Sequence, residues 1–280
     1  MKINLAKSAG FCFGVKRALD IASKTASAGK KVYVLGDIVH NEDVARQMAK
    51  AGIKKVKRLS AGKDRLFLIQ AHGLGKGIVS GAKKLGYRII DATCPMVKEI
   101  QRISQEAERQ GYRIIVIGDK KHDEVQGIIG QLHSGAIVVD ASRSIPWKQL
   151  RNIKKACAVV QSTQNLDKVL KIARALKAHF KEFKFFNTIC MPTRIKQAEI
   201  KKLPQKNDLM IIIGSKNSAN TKRLYEISKS LNKKSYWIRS KEDIRPQWFK
   251  AVQKVGVTAG ASTPAAITKE VIAYIKQVCK

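Results

Sequence analysis

The chain has 280 residues, and 55 Lys+Arg against 21 Asp+Glu give it a formal net charge of +34; 44% of its residues are hydrophobic. That apolar share excludes general disorder, and no apolar run approaches the roughly 18–20 residues of a membrane-spanning helix. The five cysteines are too few and scattered for a disulfide scaffold, and Met1-Lys2-Ile3-Asn4-Leu5 carries no apolar signal stretch, so a reduced, cytoplasmic protein is expected.

In chain order, Ile3-Asn4-Leu5 reads as a strand that leads through a loop to Gly10-Phe11-Cys12-Phe13-Gly14, with a helical pattern over about 15–28. The apolar run Val32-Tyr33-Val34-Leu35 closes on Gly36-Asp37, and His40-Asn41 follow in the turn. A second strand over 66–70 leads into Ala71-His72-Gly73. Next, Arg88-Ile89-Ile90-Asp91 leads to Ala92-Thr93-Cys94-Pro95 and a helix over about 96–109, with proline suited to its first turn.

The same order then recurs. Ile114-Ile115-Val116-Ile117 closes on Gly118-Asp119 and is followed by His122-Asp123-Glu124; a strand over 158–161 precedes Ser162-Thr163. Phe185-Phe186-Asn187 leads to Thr188-Ile189-Cys190-Met191-Pro192 and a helix over about 194–202. Finally, Met210-Ile211-Ile212-Ile213 closes on Gly214-Ser215 before Ser218-Ala219-Asn220-Thr221, and a strand over 255–258 precedes Ala259-Gly260-Ala261-Ser262-Thr263. Buried strands alternating with helices predict an α/β protein with mainly parallel sheets. Polar segments at 60–64, 140–148 and 201–208 are the expected joints.

The spacing carries a threefold repeat. The interval from Cys12 to Cys94 equals that from Gly36 to Gly118, and the interval from Cys94 to Cys190 equals that from Gly118 to Gly214. Each of these cysteines therefore precedes its glycine by the same offset, and each lies between a strand end and a helix N-terminus. Ligands of parallel sheets gather at the carboxyl ends of strands. Three thiols brought to such a place form a soft, anionic metal site, and helix N-termini beside them favour the thiolate. Zinc with a histidine as fourth ligand and an iron–sulfur cluster with one open iron both fit this donor set. Cys157, in an apolar strand, and the penultimate Cys279 lie outside the repeat and read as inert.

The turns carry His40, His72, His122, Ser162, Thr163, Ser218, Asn220 and Ser262, neutral or switchable donors suited to an oxyanion. Ser218 also reads as a helix N-cap. Glu124, two residues past His122, is the carboxylate of this set placed for proton transfer, and it equally reads as the acidic first turn of a helix. The segment Gly73-Leu74-Gly75-Lys76-Gly77 has the wrong spacing for a phosphate loop. The net charge predicts an anionic partner. No specific nucleic-acid partner is expected, because the aromatic share is only 6% and no recognition motif accompanies the lysines, which read as a solvated coat.

From Ala9 to Pro264 these motifs resemble the LytB (IspH) family of 4-hydroxy-3-methylbut-2-enyl diphosphate reductases. The resemblance rests on Ala9-Gly10-Phe11-Cys12-Phe13-Gly14-Val15, Leu35-Gly36-Asp37-Ile38-Val39-His40-Asn41, Ala71-His72-Gly73 and Asp91-Ala92-Thr93-Cys94-Pro95. It continues through Gly118 to Gly127, Asn187-Thr188-Ile189-Cys190, Gly214-Ser215-Lys216-Asn217-Ser218 and Thr258-Ala259-Gly260-Ala261-Ser262.

The resemblance implies three pseudo-symmetric α/β domains in a trefoil around a central [4Fe–4S] cluster. They would cover 12–94, 95–190 and 191–280 with 1–11, and the cluster would be held by Cys12, Cys94 and Cys190. It implies reductive loss of water from an isoprenoid diphosphate held by His40, His72, Ser162, Thr163, Ser218, Ala219, Asn220 and Ser262. His122 would lie near the hydroxyl and Glu124 would deliver protons. It further implies a ferredoxin or flavodoxin as electron donor, no membrane partner, and a monomer or homodimer. The chain departs from the family pattern at Asp123, often Pro, at Ser162, often Thr, and at Ala219, often Ser; Ala219 can offer only its backbone N–H.

Overall fold

The computed structural model describes residues 1–27, 29, 31–62 and 64–278. It opens with β1 (Lys2–Leu5) and α1 (Phe13–Ala26). Next come β2 (Lys31–Leu35), α2 (Glu42–Lys50), β3 (Ile53–Val56), β4 (Arg65–Ile69), α3 (Lys76–Lys84) and β5 (Tyr87–Asp91). The middle of the chain forms α4 (Pro95–Arg109), β6 (Arg113–Ile117), α5 (Asp123–Ile129), β7 (Ile137–Val139), α6 (Trp147–Leu150), β8 (Lys155–Val160), α7 (Leu166–His179) and β9 (Glu182–Phe185). Then follow α8 (Met191–Ile200), β10 (Leu209–Ile213), α9 (Ala219–Leu231), β11 (Ser235–Ile238), β12 (Lys254–Ala259) and α10 (Ala265–Val278).

The strands make three four-stranded sheets, ordered β3-β2-β4-β5, β7-β6-β8-β9 and β11-β10-β12-β1. Every pairing is parallel. The three orders are one pattern. Its last place, an edge strand, belongs to β5, β9 and β1, the strands that lead to Cys94, Cys190 and Cys12. In the third sheet the edge strand comes from the start of the chain and pairs with β12 near its end, Lys2 opposite Lys254.

Period-two alternation explains why these strands read as unbroken apolar runs. In the second sheet Ile115, Ile117, Ala158 and Val160 enter one core, while Ile114, Val116, Cys157 and Val159 enter another on the opposite face. In the third sheet Ile211 and Ile213 face one core and Met210 and Ile212 the other. Helices cover both faces, so neither face needs polar residues.

The chain divides into two compact units, residues 1–16 with 40–45 and 191–280, and residues 17–39 with 46–190. The first contains the sheet of β1, β10, β11 and β12; the second contains the other two sheets. The polar segments around 60–64 and 140–148 join strands of a single sheet, so they are crossovers and not joints between sheets; Lys63 lies outside the described residues. The segment 201–208 forms a short 3-10 turn before β10.

Within the larger unit, backbone meets backbone where the two sheets' layers join. A Cβ on Gly127 would lie 3.2 Å from the carbonyl oxygens of both His72 and Gly73, and one on Gly130 would lie 2.6 Å from Gly75 Cα. Lys76 N–H donates to the Gly130 carbonyl at 2.9 Å, and Gln131 Nε2 donates to the Leu74 carbonyl at 2.6 Å. Gly75 thus serves close packing against the end of α5, whereas Gly73, at a φ of +73°, would set its Cβ 2.7 Å from Gln101 on α4.

The first helix spans Phe13–Ala26 where 15–28 was expected; Ala28 lies outside the described residues. The helix after Cys190 begins at Met191 and ends at Ile200, earlier than expected at both ends. Among the described residues no helix is long and apolar enough to cross a membrane.

Candidate functional site

The three repeated cysteines share one backbone setting. Cys94 N–H donates to the Ala71 carbonyl at 3.0 Å, Cys190 N–H to Ser162 at 3.1 Å and Cys12 N–H to Ala261 at 3.1 Å. Each acceptor lies two residues beyond the end of β4, β8 or β12. Each cysteine is a half-buried thiol outside any disulfide, and each stands at the start of α4, α8 or α1. Cys94 is the N-cap of α4, followed by Pro95 at the first helical position; Val15 N–H points at Cys12 Sγ from 3.5 Å. Partly open thiols beside helix N-termini suit a thiolate-bound metal group in charge and softness.

Cys157 is different. It is fully buried in β8, and burial pushes its thiol up to about 11, which keeps it protonated and unreactive. Cys279 lies outside the described residues.

In the larger unit, Asp91 braces the Cys94 loop. Its carboxylate accepts from Thr93 N–H at 2.9 Å and from the Lys98 ammonium at 2.6 Å. Burial opposes its charged form, but the Lys98 and Thr93 donors outweigh that and hold it below the usual carboxylate range. Arg17 Nη1 also reaches the Thr93 carbonyl at 3.1 Å.

His122 caps α5. Its Nδ1 accepts from Glu124 N–H at 3.1 Å, which makes Nε2 the protonated nitrogen of the neutral ring. Its ring lies edge-on to His72, with centroids 5.5 Å apart. Glu124, in the first turn of α5, is only 2% exposed. Its carboxylate accepts from Ser162 N–H at 2.5 Å and from Ser162 Oγ at 2.7 Å. Burial pushes this carboxyl up, the Ser162 donors partly oppose the shift, and the nearby Asp119 charge adds to it.

Ser162 is thus committed to Glu124 in this structure, while Thr163 Oγ1 accepts from Gln161 Nε2 at 3.2 Å. Gln161 also accepts from Asp119 N–H at 2.9 Å, and Gln164 Nε2 donates to Asp119 at 3.2 Å. Sequence reading passed over these two glutamines, although their place at the end of β8, beside Ser162-Thr163, was a usable signal.

In the smaller unit, Ser218 is the N-cap of α9 and accepts from Thr221 N–H at 3.3 Å, as its position predicted. Ala219 is the first helical residue. Asn220 is 4% exposed; its Oδ1 accepts from Ala261 N–H at 3.0 Å. Its Nδ2 is buried with no acceptor among the described residues, a donor that an oxyanion would satisfy. Ser262 Oγ donates to the His40 carbonyl at 3.1 Å, tying the turn that carries His40 to the end of β12.

One further residue was missed. Lys196, on α8, is only 3% exposed, against the expectation that the lysines form a solvated coat. Its ammonium donates to the carbonyls of Ser8, Gly10 and Ala259, the last two at 3.0 and 3.2 Å. Burial pulls it down to about 8, while the Cys12 and Glu199 charges hold it up. One helical turn on, Glu199 accepts from Lys7 N–H at 2.6 Å and from Ser8 N–H and Oγ at 3.0 and 2.5 Å.

Comparison with known proteins matches residues 3–276 to the family model described as LytB protein. A 4-hydroxy-3-methylbut-2-enyl diphosphate reductase of Geotalea uraniireducens is 40% identical over 280 residues, covering 100% of this chain and 99% of that protein. The protein of the same name from Aquifex aeolicus is 38% identical over 282 residues, covering 99% and 97%. A solved structure of (E)-4-hydroxy-3-methyl-but-2-enyl diphosphate reductase, described as the terminal enzyme of the non-mevalonate pathway, is similar with a TM-score of 0.71 and 36% identity, covering 99% of this chain and 100% of that one. The E-1-hydroxy-2-methyl-but-2-enyl-4-diphosphate reductase from Plasmodium falciparum gives a TM-score of 0.88 at 29% identity, covering 100% and 88%.

Proposed function

Because the chain belongs to the LytB family, and is an enzyme as its relatives are, we propose that it converts (E)-4-hydroxy-3-methylbut-2-enyl diphosphate to isopentenyl and dimethylallyl diphosphates. The reaction is the last step of the methylerythritol phosphate route to isoprenoids. Two electrons and two protons enter, the allylic C–O bond breaks, and the oxygen leaves as water.

In this reading Cys12, Cys94 and Cys190 hold a [4Fe–4S] cluster. When bound, the cluster supplies a Lewis-acidic iron and single electrons. The supporting observation is the threefold repetition of one backbone contact at three half-buried thiols.

Glu124 carries the proton. Burial raises its affinity for one, and a carboxylic acid beside a hydroxyl turns a poor leaving group into water. Protonated Glu124 can donate to Ser162 Oγ, so Ser162 holds the acid in either charge state and acts on substrate through it. His122, neutral with its proton on Nε2, is the donor for the substrate hydroxyl, and His72 buttresses its ring.

The diphosphate falls to Ser218, the Ala219 N–H and Asn220 at the N-terminus of α9, together with Ser262, His40, His72 and Thr163. An oxyanion there gains the helix dipole and the open Asn220 amide. Fixing the diphosphate positions the far end of the substrate. An acidic one-electron carrier of the ferredoxin or flavodoxin class supplies the electrons, and reduced thiol ligands suit the cytoplasm.

The test is anaerobic purification with iron and sulfide analysis, then turnover with a chemical reductant for the wild type and Glu124→Gln. The expected outcome is a brown protein in both, with turnover of the variant lower by about 10²–10⁴-fold. An iron-free wild type, or full turnover in the variant, would overturn the reading.

A further inference from the structure

The loop that delivers Cys12 is gripped by a single helix from two sides. Residues 6–12 run alongside the end of β12, with Ala6, Gly10 and Cys12 N–H groups donating to the carbonyls of Val257, Ala259 and Ala261. Gly10 adopts a φ of +95°, a left-handed turn open to glycine. From α8, Glu199 collects the N–H groups of Lys7 and Ser8, and Lys196 collects the carbonyls of Ser8, Gly10 and Ala259.

Complementary charges thus meet complementary backbone groups: anion to N–H, cation to C=O. An ammonium has three donors, and all three of Lys196 are spent on backbone carbonyls. The same side chain lies within electrostatic reach of Cys12. A buried cation is costly to keep. Carbonyls alone would be served by a neutral donor, and the charges that offset the retained ammonium are those of Glu199 and Cys12.

We propose that Lys196 is a positioning residue for the cluster ligand Cys12, holding its loop and placing a fixed buried positive charge that raises the reduction potential of the iron–sulfur group. The inference rests on the cluster reading of the proposed function. A positive charge stabilises the electron-rich state more than the oxidised one, and in a dry site that effect is poorly screened. Glu199 sits on the same face one turn away and carries the opposite sign. Its removal should move the potential the other way, whereas mere loosening of the loop would not invert the sign.

The experiment compares cluster content and reduction potential in anaerobically reconstituted wild type, Lys196→Met, Lys196→Arg and Glu199→Gln. Lys196→Met is expected to carry the cluster at a more negative potential, Lys196→Arg to restore the wild-type value, and Glu199→Gln to shift it upward by less. An unchanged potential in a Lys196→Met protein with its cluster overturns the proposal. If that variant takes up no iron, Lys196→Gln and Lys196→Arg decide: cluster and potential recovered by arginine alone support the proposal, and failure of both overturns it. A wild type without cluster signals refutes the underlying reading instead.

Discussion

A carboxyl with two donors from one serine and almost no exposure is an unusual thing to bury, and Glu124 shows what that costs and yields. Its affinity for a proton is raised by burial, with the Asp119 charge assisting. Between the ordinary carboxylate value and the raised one, the folded protein keeps a proton that the unfolded chain has lost. Stability therefore falls as pH rises through that window. Glu124→Gln removes the titration, so its unfolding midpoint should decline less than that of the wild type above about pH 5, measured by denaturant titration at several pH values. In the proposed role of Glu124 as proton donor, turnover should fall on the alkaline side. Asp119→Asn removes a raising charge while keeping an acceptor for Gln164, and should move that limb of the pH–rate profile to lower pH. Sequence reading found Glu124 through its distance from His122, and of the two alternatives weighed there the structure shows the first turn of a helix, while proton transfer is the proposed role. It could not find the burial, because the serine that encloses it lies 38 residues away. Lys196 was invisible for a related reason: among 55 basic residues, nothing local marks the one whose acceptors lie as far as 188 positions off.

At the scale of elements, one unit of four parallel strands is used three times, and each use ends by presenting a cysteine beside the tail of the neighbouring strand. The apolar runs and the constant offset between cysteine and glycine made this much legible, because buried parallel strands have few alternatives to unbroken hydrophobic sequence. Helix bounds were less legible. The helices after Cys12 and Cys190 start earlier than their apolar periodicity predicts, since the cysteine loops are held by backbone bonds and not by side-chain pattern. The glycines after His72 were conspicuous, but the reason for Gly75 was not, because the helix whose end it packs against begins far along the chain, at Asp123. That packing is testable. Gly130→Val would thrust carbon into Gly75 from 2.6 Å, and overpacking of this kind costs about 1–3 kcal/mol. Thermal unfolding should drop accordingly. Gly77→Ala, on α3 with nothing within 4 Å of the added carbon, should instead be neutral or stabilising.

For the whole molecule, the surplus of basic residues remains the largest feature that the proposed chemistry does not require. It suits diffusional capture of an acidic electron carrier, where electrostatic steering raises association rates by about 10–10³-fold and is lost in salt. Turnover limited by such a protein donor should fall roughly tenfold or more between low salt and about 0.5 M, while turnover with a small neutral reductant should hardly change. A flat response with the protein donor would remove the steering role and leave the charge as a solubility device.

The place of β1 in its sheet has a consequence for biosynthesis. The strand that leads to Cys12 pairs with Lys254–Ala259, and the acceptor that fixes Cys12 is Ala261. During vectorial synthesis Cys12 leaves the ribosome long before its own backbone scaffold exists, whereas the acceptors of Cys94 and Cys190 precede them in the chain. The earliest thiol made is the last to be seated. On the proposed cluster reading, delivery of iron and sulfide to all three thiols must therefore wait until residues 254–261 have been made, and the nascent polypeptide carries an unseated Cys12 until then.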